Sequence, residues 1–253
     1  TNVDADISMS STLDNGMTLS GLVSLNTNAV NDSGFSLSGD FGKIGFGLGG
    51  ANDGFGATNA GLTADEGANL SAEYKMTHND FIPHSDVSIT LPAVSGFTLG
   101  LGFKDGATTA ADSSQWGVTY AMDAGSMGIT VAYASASDGN NNDMSSAGVT
   151  VTAGDAKVVV ATNKTTASSV THTANSIGAS YKVSDALTVQ GYTGTTELSS
   201  NSAYEVTDTG MGLTYTVTPG LSISITNNDF SGKGHASGDE SGTRTVVALD
   251  ATF

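Results

Sequence analysis

Carboxylates crowd one stretch of the chain. Residues 51–83 carry Asp53, Asp65, Glu66, Glu73 and Asp80, with Lys75 the single Lys or Arg among them. Such a set attracts cations. It is not a catalytic constellation: no Gly-x-Ser-x-Gly, P-loop or zinc motif appears anywhere in the sequence. His78, His84, His172 and His235 share no metal-ligand spacing and read as loop residues. Residues 137–144 place Asp138 and Asp143 among Asn140, Asn141 and Asn142. That oxygen-rich loop either holds Ca²⁺ or is a plain polar connection, and it lacks EF-hand spacing.

Residues 51–83 also lack a strand pattern, and loops this long are functional or disordered. Two readings stand. The segment folds into a lumen and narrows it, with Asp65, Glu66 and Glu73 at the narrowest point, or it caps the outside as a solvated loop. Four cations fall on small, polar strand faces: Lys104, Lys157, Lys182 and Arg244. They line a wall opposite the segment or sit at its rim.

The elements that would position these groups are strands. Residues 243–253 read Thr-Arg-Thr-Val-Val-Ala-Leu-Asp-Ala-Thr-Phe. At period two, one face carries Thr243, Thr245, Val247, Leu249, Ala251 and Phe253, and both charges lie on the other. Similar alternation recurs along the chain. Leu99, Leu101 and Phe103 alternate with Gly100, Gly102 and Lys104, and Leu221, Ile223 and Ile225 with Ser222 and Ser224. About fifteen strands are expected. Tight turns, such as Asn15-Gly16 and Gly154-Asp155, alternate with polar connections over residues 26–34, 105–112, 137–144, 165–173, 197–203 and 229–242. Ten-residue strands with one apolar face, joined by long and short connections in turn, suit a barrel that spans a membrane. Its outer belt would be about 25 Å tall. Leu19, Phe46, Leu99, Leu101, Val118, Ile129, Val160, Ile177, Leu213, Ile223 and Leu249 would form it, with Phe97, Tyr133, Tyr181 and Tyr215 at its edges. Ser8, Ser10, Thr18, Ser20, Gly45, Gly100, Gly102, Ser222 and Ser224 would keep the lumen wet. The first and last strands run the same way, so closing an antiparallel barrel needs one more strand before Thr1, or a count changed by one.

Composition agrees. The chain has 253 residues, 33 of them Gly and 3 Pro, no Cys, and only 13% charged residues; a soluble domain carries about a quarter. The formal charge of −17, with eight Lys and Arg, excludes the basic footprint that nucleic acid requires. No run of 18 apolar residues marks a transmembrane helix. The polar start at Thr1 reads as a mature or trimmed chain. An acidic surface-layer or adhesive β protein would share this composition and is the rival reading.

The stretch Leu37-Ser38-Gly39-Asp40-Phe41-Gly42-Lys43-Ile44 resembles the Gly-acidic-aromatic-Gly turn of Gram-negative general diffusion porins, of the alphaproteobacterial type. Leu62-Thr63-Ala64-Asp65-Glu66 resembles the acidic part of their constriction loop, and Phe253 their terminal aromatic. The Pro-Glu-Phe-Gly loop motif and the dense arginine cluster of enterobacterial porins are absent. The resemblance implies one domain over residues 1–253, a sixteen-stranded barrel with an inward third loop at residues 51–83. It also implies a homotrimer among outer-membrane lipid and lipopolysaccharide, passive passage of small hydrophilic solutes and ions, no cofactor and no catalysis. The acidic balance adds an expected preference for cations.

Overall fold

A computed structural model describes residues 4–26, 29–48, 86–106, 112–137, 142–167, 169–199, 201–234 and 239–251. Among these residues there are fifteen strands and no helix long and apolar enough to cross a membrane. The strands are β1 (Asp4–Thr12), β2 (Thr18–Asn26), β3 (Ala29–Gly39), β4 (Gly42–Leu48), β5 (Val87–Thr90), β6 (Phe97–Lys104), β7 (Ser113–Ala124) and β8 (Met127–Ser137). Then follow β9 (Asp143–Ala153), β10 (Ala156–Ala167), β11 (Val170–Lys182), β12 (Leu187–Leu198), β13 (Asn201–Thr218), β14 (Leu221–Lys233) and β15 (Glu240–Ala251). They form one sheet in strict chain order, each strand beside its sequence neighbours. With an odd number of antiparallel strands, β1 and β15 run the same way, as the sequence implies.

Turn chemistry sets the register on one rim. Gly16 takes φ +81° after Asn15, whose side chain accepts the Met17 N–H at 3.2 Å. The left-handed backbone explains the Asn-Gly pair, since glycine meets no Cβ penalty there. The other rim departs from expectation. The polar stretches 26–34, 165–173 and 197–203 are not loops: β2 ends at Asn26 and β3 begins at Ala29, β10 and β11 are separated only between Ala167 and Val170, and β12 and β13 only between Leu198 and Asn201. Thr165 pairs with His172 and Thr166 with Thr171, their two hydroxyls 2.9 Å apart. Threonine's branched Cβ favours extended backbone, so polarity here marks strand, with Thr165 on the shielded face and Thr166 and Thr171 on the other. His172 is therefore a strand residue, packed edge-on to the Tyr204 ring at 6.5 Å. Elsewhere on this rim β6 ends at Lys104 and β7 begins at Ser113, β8 ends at Ser137 and β9 begins at Asp143, and β14 ends at Lys233 and β15 begins at Glu240; most of the residues between lie outside the described ones. Residues 51–83 lie outside the described residues, as do His78, His84, His235 and Asp138.

By packing, the chain divides into two units. The first takes in β1–β6, residues 113–120 of β7 and the end of β8. Its shielded face is small or polar: Gly45, Ser88, Gly100, Gly102, Ser113 and Gln115. Its exposed face carries Phe35, Phe46, Phe97, Phe103, Trp116 and Tyr133. Rings pair across strands there, Phe97 with Tyr120 at 4.3 Å and Trp116 with Tyr133 at 5.2 Å. The second unit runs from Ser146 of β9 through β15, with the turn of β7 and β8. It shields Asn163, Thr165, Thr196, Asp208, Thr226 and Asn228, and exposes Val158, Val160, Ile177, Met211, Leu213, Val247 and Leu249. In both units large apolar side chains crowd the exposed face, while the hidden face is mostly small or polar with a few apolar residues such as Val159 and Val206, the reverse of a water-soluble sheet. None of the described belt residues expected from the sequence is buried. The apolar run on β13, Met211 to Val217, covers about 20 Å of strand, shorter than the 25 Å expected. Thr209, Thr207 and Glu205 continue the same face towards the long-connection rim.

Candidate pore wall

Alternation on β13 decides which side chains reach the hidden face. Met211, Leu213, Tyr215 and Val217 point out, so Gly210, Asp208 and Val206 point in. Tyr192 of β12 pairs with Gly210, and Gly210 with Asn228 of β14. Glycine is required at 210 by space: a Cβ there would lie 2.6 Å from Tyr192 Cζ. The ring crosses that vacancy. Its hydroxyl donates to Asp208 Oδ2 at 3.0 Å and accepts from the Asn228 side-chain amide. Asp208 and Asn228 are each 2% exposed. Three strands are thus tied on the hidden face by one hydroxyl that both gives and takes a hydrogen bond. Burial of a polar group is tolerable only with such partners.

The expected wall cations sort by position. Lys104 pairs with buried Ser113 and shares the hidden face of β6 with Gly100 and Gly102. Lys157 shares the face of buried Val159, and Arg244 lies beside Asn228 as its register partner on β15. Lys182 shares that parity on β11 but sits at its tight-turn end, exposed, with Nζ 2.8 Å from Asp185 Oδ1. That hydrogen bond and the ammonium charge hold the Asp185 carboxyl below its ordinary value and raise Lys182 in return. Asp65, Glu66 and Glu73 lie outside the described residues. Sequence reasoning missed Tyr192, Asp208 and Asn228. The signal was present: Asp208 stands at the same parity as Gly210, opposite to Met211. Among the described residues no cluster of three or more His, Asp or Glu is arranged to hold a metal.

The sequence matches the family profile of the Gram-negative porins over residues 1–235. The chain belongs to the Gram-negative porins. Porin architecture accounts for the inverted polarity: the hidden polar face is the lumen wall and the exposed apolar face meets lipid. Solved structures share the fold. An anion-selective porin from Comamonas acidovorans superposes with a TM-score of 0.66 at 14% identity, over 98% of this chain and 89% of that one. The outer-membrane protein OmpT of Vibrio cholerae gives 0.71 at 15% identity, over 98% and 88%. Its in-vitro folded trimer form gives 0.64 at 16% identity, with the same coverage. Identities this low establish the fold alone. Among curated proteins none matches the sequence. The porin thus resides in the outer membrane, as a transmembrane antiparallel β-barrel of the porin type, and the surface-layer alternative falls away.

Proposed function

We propose that this porin is a passive, non-enzymatic diffusion channel for ions and small hydrophilic solutes that prefers cations. The inverted sheet carries the reading: a polar wall shielded behind an apolar exterior is useful only where lipid lies outside and water inside. Selectivity then follows from charge. Fold does not choose its sign, because a porin of the same fold is anion-selective. Here the formal charge is −17 against eight Lys and Arg. Carboxylates lining a pore favour cations, and Asp65, Glu66 and Glu73 are the proposed constriction. Lys104, Lys157, Lys182 and Arg244 are the proposed opposing wall charges. The trimer form solved for the Vibrio protein supports a homotrimer here.

Reversal potentials across a planar bilayer under a KCl gradient test the proposal. Cation preference should grow in dilute salt, since the screening length is about 10 Å at 0.1 M. Anion preference at low salt would sink it, as would unchanged selectivity after Asp65→Asn, Glu66→Gln and Glu73→Gln together.

A further inference from the structure

On the hidden face of the second unit, Asp208 Oδ1 and Asn228 Oδ1 are buried without a hydrogen-bond partner. They belong to the two side chains that meet at the Tyr192 hydroxyl. A carboxylate and an amide oxygen only accept hydrogen bonds, so neither satisfies the other as an ionised pair would stand. No cation offsets the charge either: among the described residues Asp208 has no ion pair. The surrounding strands show why. From β12 the titratable group beside it is Tyr192, and its register partner there is Gly194. From β14 its register partner is Phe230, and Asn228 carries no charge. Arg244 stands one strand further off, on β15, as the partner of Asn228. Lys157 is three strands away on β10. Glu205 and Asp229 are carboxylates exposed on the opposite face. Asp208 itself lies beyond Met211, where the apolar run of β13 ends, towards the long-connection rim.

A buried carboxylate with no cation beside it is costly enough to take up a proton instead. We propose that Asp208 is a proton-binding site of the wall and stands there as the neutral carboxylic acid at neutral pH. The proton comes from water and sits on Oδ1, where the new hydroxyl donates to Asn228 Oδ1. One proton thus supplies both missing partners, while Oδ2 keeps the Tyr192 hydroxyl. The three strands β12, β13 and β14 are then joined by a neutral chain of hydrogen bonds. Loss of the proton at higher pH leaves a bare carboxylate on the hidden face and takes the donor away from Asn228. The proposal concerns the wall alone and is independent of the selectivity of the channel.

Infrared spectra of the folded protein in vesicles, compared between neutral and alkaline pH, provide the test. The wild type should show a protonated-carboxyl C=O band at neutral pH and lose it as pH rises. Asp208→Asn should lack that band. Asn copies the neutral acid, since its amide donates where the acid hydroxyl would and its oxygen accepts from Tyr192. Thermal midpoints give a second readout. A carboxyl that holds its proton more tightly when folded loses stability as pH climbs from its ordinary value, about 4, towards its folded one. The wild-type midpoint should therefore fall relative to that of Asp208→Asn between about pH 4 and neutrality. If Asp208→Asn does not assemble, wild type carrying carbon-labelled aspartate decides the matter, because the neutral-pH band should shift with the label. A wild type without a protonated aspartate band at neutral pH would overturn the proposal, as would midpoints that run parallel in the two proteins across that range.

Discussion

The Tyr192 ring occupies the space that a side chain on Gly210, its register partner, would fill. Gly210→Ala should push the ring aside and cost about 1–3 kcal/mol, the usual penalty for overpacking. Gly191→Ala is the control, because its added carbon comes no nearer than 3.5 Å to any neighbour. Thermal midpoints from heat-modifiable gel migration should drop for the first variant and hold for the second.

Tyr192→Phe should destabilise by about 1–3 kcal/mol, because it strips a partner from both the Asp208 carboxyl and the Asn228 amide. Asp208→Ala should cost a similar amount. If the double variant loses little more than either single one, the groups act as one network.

Polarity of the exposed face makes a third expectation. Leu249 is 67% exposed on β15 and lies within the apolar run, so Leu249→Arg should cost about 2–4 kcal/mol in a bilayer. Thr243→Arg, on the same face beyond that run, should cost about 0–1 kcal/mol. Urea titrations of folding into vesicles would compare them.

Wall charges should differ in effect. Arg244→Ala removes a cation from the hidden face and should raise cation preference in reversal-potential measurements. Lys182→Ala should change it less, because that ammonium is held by Asp185 at the turn.

The same pair sets a pH expectation. Asp185 titrates below its ordinary value, chiefly through the Lys182 hydrogen bond, so its contribution is present above the ordinary carboxylate range and fades as pH falls through the lowered value. Lys182, raised by the same bond, keeps its share below the ordinary lysine range and loses it as pH climbs through the raised value. Both groups are exposed, so the pair contributes little. Asp185→Asn should leave the thermal midpoint at neutral pH unchanged.

Much of the barrel could be seen in the alternation of residues such as Leu99, Gly100, Leu101 and Gly102, because a sheet with lipid on one side and water on the other enforces period two. Turn positions such as Gly16 followed from backbone sterics. The ends of β10 and β11 did not, since Thr165 to Thr173 have loop-like polarity and reveal themselves as strand only through their cross-strand partners. The Tyr192–Asp208–Asn228 tie escaped for a related reason. Its members lie far apart in sequence, and only the register of β12, β13 and β14 brings them together.

Those extended upper strands carry an implication for whatever meets the cell from outside. Proteases need several residues of unpaired chain to thread their clefts, and between β10 and β11 the ladder leaves almost none. Antibodies or phage fibres that approach this part of the porin would meet a pleated, threonine-rich surface. Escape there would come by exchanging single side chains, since lengthening or deleting backbone would break the pairing of Thr166 with Thr171.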